Sequence, residues 1–205
     1  MLRTRLLRSV VAFATAILIA SCADSIATSP TAPVDAVPSH DSGSGDSDSS
    51  QGSGSSQLEL RAVWWKTDHE NVRVSQAIGP AGGTISIPET GLTIQFPAGA
   101  VRQLLTITIT ADENYVAYKM GPSGTTFLKD VQVTQSLATT SMFGEPLKSQ
   151  LYAAYIADDN VQLSGNVPVT KIEPSKTIFS DLDPRLPQAQ VWVIRHFSRY
   201  MLASN

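Results

Sequence analysis

The sequence predicts an all-β fold, an antiparallel β-sandwich over residues 58–205, and three observations support this prediction. Apolar and polar residues alternate in several short stretches, which is the pattern of half-buried strands. These stretches are rich in β-branched residues, and glycine or proline separates one from the next. No stretch has an amphipathic helical pattern of useful length, and a segment of this size supports one ordinary core.

The predicted strands follow one another at short intervals. Residues 105–110 alternate most clearly, because threonine stands at every second position between Leu and Ile. The dipeptides Gly79-Pro80 and Gly121-Pro122 mark turns. The full set of predicted strands is 72–74, 85–87, 92–96, 105–110, 131–133, 150–157, 169–173, 176–180 and 189–203.

Residues 1–21 are predicted to be a signal peptide for export. Arg3, Arg5 and Arg8 precede a largely apolar run at residues 10–20. That run is too short to span a bilayer as a helix, which needs about 20 residues. It has the length of the apolar region of a secretory signal.

The end of the apolar run, Ile19-Ala20-Ser21-Cys22, resembles the lipobox of bacterial lipoproteins. The resemblance implies cleavage before Cys22, a diacylglycerol thioether on its sulfur and often an acyl chain, such as palmitate, on its amine. Several acyl chains anchor a protein firmly, because each buried methylene contributes about 0.8 kcal/mol. Cys22 is the one cysteine of the chain, so it has no disulfide partner within it. In a cell with two membranes, Ala23 favours the outer membrane, since Asp at that position resembles an inner-membrane retention signal.

Residues 22–57 are predicted to be a disordered, lipid-anchored linker rich in Ser, Gly and Asp. Its segment 42–56 contains no hydrophobic side chain. Such a segment cannot bury enough apolar area to offset the entropy lost on ordering. The linker therefore separates the anchor from the folded domain at 58–205.

The predicted domain is close to electrically neutral, with 12 Lys and Arg against 13 Asp and Glu in residues 58–205. It has no basic footprint for nucleic acid, and no Lys/Arg cluster suits anionic lipid headgroups. Membrane contact is therefore expected through the lipid on Cys22, and no nucleic-acid partner is expected.

The stretch from Gly82 to Ala100, GGTISIPETGLTIQFPAGA, carries a more specific pattern. With the Thr/Ile strand that follows, it resembles the start of ZU5 domains, which occur in ankyrins, netrin receptors and bacterial envelope proteins. The resemblance covers roughly residues 78–205. It implies a β-sandwich that serves mainly in protein contacts, with no cofactor and no conserved pocket.

The C-terminal sequence His196-Phe197-Ser198 resembles the self-cleavage site of some ZU5-containing proteins. The implied chemistry begins with attack of Ser198 Oγ on the Phe197 carbonyl carbon, which gives an ester by N→O acyl shift. His196 is expected on the same strand face as Ser198 and can accept the hydroxyl proton as general base. Water then hydrolyses the ester. The alternative is a final β-strand in which Phe197 packs and Ser198 hydrogen-bonds locally.

Trp64 and Trp65 form the other candidate site. Paired tryptophans can stack on sugar rings, which suggests binding of carbohydrate or peptidoglycan. Packing at the N-terminal edge of the domain is the alternative, because a large aromatic side chain usually buries most of its area. No His/Cys cluster has metal-ligand spacing, so neither a metal nor another cofactor is expected.

The leading interpretation is a membrane-tethered, non-enzymatic module of the cell envelope that contacts a protein or a glycan there. A self-processing domain that cuts its own Phe197–Ser198 bond and a carbohydrate binder acting through the tryptophans are the two alternatives.

Overall fold

The computed structural model describes residues 58–70 and 72–205, which form thirteen β-strands and no helix. The all-β prediction is therefore confirmed. The strands are β1 Leu58–Ala62, β2 Arg73–Ile78, β3 Gly83–Ile87, β4 Leu92–Phe96, β5 Leu105–Ala111, β6 Ala117–Gly121, β7 Thr126–Ser136, β8 Leu151–Ile156, β9 Asn166–Val169, β10 Lys171–Glu173, β11 Ser175–Phe179, β12 Pro187–His196 and β13 Arg199–Ser204. No described segment is a helix long and apolar enough to cross a membrane.

The strands build two antiparallel sheets, as a β-sandwich requires. The eight-stranded sheet has the order β10-β8-β13-β6-β5-β2, and β1 joins it by pairing with both β13 and β9. The five-stranded sheet has the order β11-β12-β7-β4-β3. The antiparallel sandwich predicted from the alternating pattern is confirmed.

The main hydrophobic core lies between the inner faces of the two sheets. The alternation in β4 and β5 is the reason, because one face of each strand is apolar and points inward. Ile94 and Ile109, one from each sheet, are both completely buried there. Each Å² of apolar surface that this layer buries contributes roughly 25 cal/mol to the stability of the fold.

A second apolar cluster lies on the other face of the eight-stranded sheet. In β13, Tyr200 and Leu202 belong to the main core, whereas Met201 and Ala203 belong to this second cluster. Leu163 and two residues of β9, Val167 and Val169, belong to the same cluster. β13 is therefore buried on both faces, which explains why its residues form a nearly continuous apolar run.

Residues 189–203 were predicted as one strand, and this prediction was wrong. β12 pairs with β7 and β11 in the five-stranded sheet, whereas β13 pairs with β6, β8 and β1 in the eight-stranded sheet. The chain therefore crosses from one layer to the other at residues 197 and 198. The predicted strand 169–173 is likewise divided, because β9 pairs with β1 and β10 pairs with β8.

Candidate functional site

The two neighbouring tryptophans lie in opposite environments. Trp64 is 60% exposed, whereas Trp65 is 4% exposed and belongs to the main core. The Nε1 atom of Trp65 donates a hydrogen bond of 2.9 Å to the carbonyl oxygen of Asp112. Its ring also makes edge-on contacts with His69 and Tyr118. The prediction of a two-tryptophan platform is therefore corrected to Trp64 alone, because packing encloses Trp65.

Backbone pairing on both sides holds Trp64 at the surface. Trp64 forms an antiparallel bridge with Tyr115, and its carbonyl oxygen accepts a hydrogen bond of 3.0 Å from the Ser141 N–H. Residues that face each other across an antiparallel bridge project their side chains to the same side of the sheet. Trp64 and Tyr115 therefore lie side by side.

A second exposed aromatic residue, Phe143, follows the segment that pairs with Trp64. Phe143 is 51% exposed, and the Lys66 Nζ atom lies 5.6 Å from its ring centroid. A cation–π contact at an exposed position contributes only about 0.5–1 kcal/mol, so this pair adds little to stability. We call Trp64, Lys66, Tyr115 and Phe143 the Trp64 surface.

A cleft of about 470 Å³ opens beside Tyr115. Its walls are the β5–β6 connection around residues 112–115 and the β8–β9 connection around residues 159–164, with Arg199 at the start of β13. The amide side chains of Asn114, Asn160 and Gln162 line it and are exposed. We call this feature the polar cleft. Asp158-Asp159-Asn160 has the local composition of a turn, and nothing in the local sequence shows that the two connections meet.

The ionised groups of the polar cleft compensate one another. Lys119 Nζ lies 2.5 Å from Asp159 Oδ2. Arg199 Nη1 donates to the carbonyl oxygens of Asp159 and Val161 at 2.9 and 2.8 Å. Arg199 Nη2 lies 3.7 Å from Asp112 Oδ2. The lining itself carries two acids and one base, Asp112, Asp159 and Arg199. Lys119, which lies beside the cleft, supplies the second base through its ion pair with Asp159.

A larger groove of about 630 Å³ lies between residues 100–105 and 125–128. Arg102 is the one charged side chain that lines it, and no aromatic side chain does so. Its lining combines apolar walls with a few polar groups, as ligand sites usually do. The polar cleft and the Trp64 surface offer more groups that can orient a ligand.

The Phe197–Ser198 peptide bond lies where the chain crosses between the sheets. The Phe197 N–H donates a hydrogen bond of 2.8 Å to the carbonyl oxygen of Thr125, and the Phe197 carbonyl oxygen accepts one of 3.2 Å from the Gly124 N–H. The carbonyl that Ser198 would attack therefore already has a backbone donor.

Phe197 also anchors the crossing by packing. Its side chain is 1% exposed and contacts Phe96 and Phe127 edge-on, with ring centroids 6.1 and 4.7 Å apart. Edge-to-face pairs of this kind contribute about 0.5–1.5 kcal/mol beyond the area that they bury. The packing role expected for Phe197 is therefore present.

His196 and Ser198 contact different partners. The Ser198 Oγ atom lies 3.5 Å from the carbonyl oxygen of Ile156. His196 Nδ1 lies 3.3 Å from Tyr200 Oη, and the Tyr200 hydroxyl donates to the His196 carbonyl oxygen at 2.9 Å. The expected placement on one strand face does not occur, because β12 ends at His196. The general base and the nucleophile are thus close in sequence but not paired.

A small cavity of about 210 Å³ borders His196 and includes Glu173. The Glu173 side chain is 5% exposed and forms an ion pair of 2.8 Å with Lys171. Burial raises the pKa of Tyr200 well above its usual value, and the negative charge of Glu173 raises it further. Tyr200 therefore stays protonated and keeps its hydrogen bond to the His196 carbonyl oxygen.

The predicted lipidation site Cys22, the signal peptide and the linker lie outside the described residues. Within residues 58–70 and 72–205, no three or more His, Cys, Asp or Glu side chains are grouped as a metal site requires.

No protein-family model matches the chain, and no curated protein matches its sequence significantly.

Proposed function

We propose that this chain is a membrane-tethered, non-enzymatic module of the cell envelope that binds another envelope macromolecule through the Trp64 surface. The observation that carries the proposal is the 60% exposure of Trp64 beside Tyr115 and the polar cleft. Large aromatic side chains are enriched at binding surfaces, and an indole in water leaves apolar area that a partner can bury.

The N-terminal sequence supports the proposed membrane tether. The lipobox-like Ile19-Ala20-Ser21-Cys22 and the Ser/Gly/Asp-rich segment up to residue 57 suit a lipid on Cys22 and a long flexible spacer. The ZU5-like pattern from Gly82 to Ala100 also supports an interaction module. In a cell with two membranes, the outer membrane is the expected location.

Site-specific photocrosslinking in living cells tests the proposal. A benzophenone amino acid is placed at position 64, at position 143 or, as the control, at Leu104. Leu104 is 72% exposed and precedes β5, whereas Tyr115 of the Trp64 surface follows the other end of that strand. We expect adducts of the full-length protein from positions 64 and 143 and none from position 104. Equal yields at all three positions, or no adduct at positions 64 and 143, would contradict the proposal.

Self-processing at Phe197–Ser198 is the second candidate function, and the Gly124 N–H on the Phe197 carbonyl oxygen favours it. A donor at that oxygen stabilises the negative charge that develops during attack. β13 pairs with three strands, so the cleaved C-terminal peptide would stay in the sheet. The reaction would first require the Ser198 hydroxyl to leave Ile156 and approach His196.

Intact-mass spectrometry of the full-length protein under denaturing conditions tests self-processing. Loss of residues 198–205 from the parent but not from the Ser198→Ala variant would establish the reaction. A full mass for both proteins would remove this candidate and would leave the binding module unaffected.

A further inference from the structure

We infer that the polar cleft and the adjoining Trp64 together bind a neutral glycan segment, with the cleft taking the sugar hydroxyls and the indole taking an apolar sugar face. This inference rests on the proposed function and specifies its ligand class. The cleft volume of about 470 Å³ falls within the range of about 300–1,000 Å³ that small-molecule pockets occupy.

The charges of the cleft favour an uncharged ligand. Asp159 is paired with Lys119, and Arg199 has its Nη1 donors directed at two carbonyl oxygens of the β8–β9 connection. The cleft has no free cluster of basic side chains that could bind a polyanion. Its acidic side chains already have basic partners, so they do not favour a polycation. A neutral ligand leaves these pairs intact and causes no loss of charge compensation.

The amide side chains supply the hydrogen bonds that a sugar requires. Asn114, Asn160 and Gln162 reach the cleft from two different connections. Each amide offers an acceptor oxygen and two donor hydrogens, and each sugar hydroxyl also both donates and accepts. Neighbouring hydroxyls on one ring can therefore bond to both ends of one amide.

The aromatic side chains supply the apolar part of the site. A pyranose ring presents C–H groups on its faces, and these pack against an aromatic ring. Tyr115 lines the cleft, and Trp64 is its antiparallel bridge partner on the same side of the sheet. A sugar that leaves the cleft therefore meets the exposed indole, so a chain of sugars fits the arrangement better than one ring.

A protein partner is less favoured at this place. Protein hot spots centre on apolar pockets from which water is fully excluded, whereas Asp112, Asn114, Asp159 and Asn160 line the cleft. The water-exposed amides suit a ligand that carries hydroxyl groups along its whole length.

Calorimetric titration of the full-length protein in detergent tests the inference. The probes are four neutral tetrasaccharides, namely chitotetraose, cellotetraose, maltotetraose and mannotetraose, with tetragalacturonate as the charged control. We expect a Kd on the order of 1 mM or tighter for at least one neutral probe. Trp64→Ala and Gln162→Ala should each weaken binding about tenfold, Trp64→Phe should retain most of the affinity, and Leu104→Ala should leave it unchanged.

The outcomes separate this inference from the proposed function. Absence of binding by every neutral probe, tighter binding of tetragalacturonate, or unchanged affinity in Trp64→Ala would overturn the glycan site. Crosslinking at position 64 to a protein, with no tetrasaccharide binding, would overturn the glycan site and still support the binding module. Failure of both experiments would overturn the two proposals together.

Discussion

Tyr118 on the eight-stranded sheet donates a hydrogen bond of 2.6 Å to Gln135 Oε1 on the five-stranded sheet. Both residues are at most 1% exposed. Gln135 Nε2 in turn donates to the carbonyl oxygens of Thr90 and Ser136 at 2.6 and 2.8 Å. Burial raises the pKa of Tyr118 far above its usual value, so its hydroxyl remains a donor. One satisfied polar link therefore connects the two layers through an apolar core.

Loss of this link should destabilise the fold. Gln135→Leu keeps a side chain of similar size but leaves the Tyr118 hydroxyl buried without its acceptor. We expect the free energy of unfolding to fall by about 1–3 kcal/mol, measured by urea denaturation. The double variant Tyr118→Phe/Gln135→Leu removes the orphaned hydroxyl and should recover part of this loss. Equal stability of Gln135→Leu and the parent would contradict the role of the link.

The adjacent tryptophans should respond to truncation in opposite ways. Trp65→Ala removes a buried indole and its hydrogen bond to Asp112, so the free energy of unfolding should fall by about 3–5 kcal/mol. Trp64→Ala changes an exposed side chain and should shift the free energy by no more than about 0.5 kcal/mol. Urea denaturation of both variants measures the difference. A large loss in Trp64→Ala would mean that Trp64 serves stability and would weaken its use as a binding-site probe.

The sequence predicts most of the sandwich because its strands have one buried face. In β4 and β5 the apolar residues alternate with Thr and Gln, so the strands can be read from local pattern alone. β6 was missed, because Ala117 and Tyr118 are both buried and face different clusters. A strand buried on both faces does not alternate apolar and polar residues, so this pattern cannot predict it.

The break between β12 and β13 was missed for a related reason. Residues from 189 onward keep a strand-like composition through Phe197 and Ser198, and only the change of pairing partners divides them. The Phe197–Ser198 junction carries no Gly or Pro to signal it.

The polar cleft depends on contacts between residues distant in sequence. Asn114 and Gln162 belong to connections that local propensities describe only as turns. The sequence indicated Trp64 and Trp65 equally. Their isolated bridges to Tyr115 and Thr140, which join residues distant in sequence, hold the two indoles in different environments. Candidate aromatic residues could therefore be predicted, but their exposure and their neighbours could not.

Gly82 should be intolerant of any side chain. Its φ of +79° lies in the left-handed region, and an added Cβ would stand 2.3 Å from the Phe96 carbonyl oxygen. Gly144 has nearly the same φ, +80°, but nothing lies within 4 Å of its added Cβ. Gly144→Ala should therefore lower the free energy of unfolding by about 1–2 kcal/mol, because of backbone strain. Gly82→Ala should lower it by about 1–3 kcal/mol more, because the added methyl group overpacks the site. Thermal or urea unfolding measures both, and equal losses would show that the contact with Phe96 adds nothing.

Asp183 should stay ionised to unusually low pH. Arg185 donates to its two carboxylate oxygens from Nε and Nη2 at 3.0 and 2.9 Å, and the Arg185 N–H donates at 3.0 Å. These hydrogen bonds lower the pKa of Asp183 from 3.8 to about 2. The pKa of Asp183 is lower in the folded state than in the unfolded state. The pair therefore contributes to the free energy of unfolding above pH 3.8, and this contribution is lost as the pH falls towards 2.

Carboxyl carbon shifts followed by NMR during acid titration measure this pKa directly. Arg185→Lys replaces the two-pronged contact with a single charge and should raise the Asp183 midpoint towards 3.8. Arg102→Lys, at a distant connection, should leave the midpoint where it is. A midpoint near 3.8 in the parent, or one that Arg185→Lys does not move, would show that the Asp183–Arg185 contact does not persist in solution.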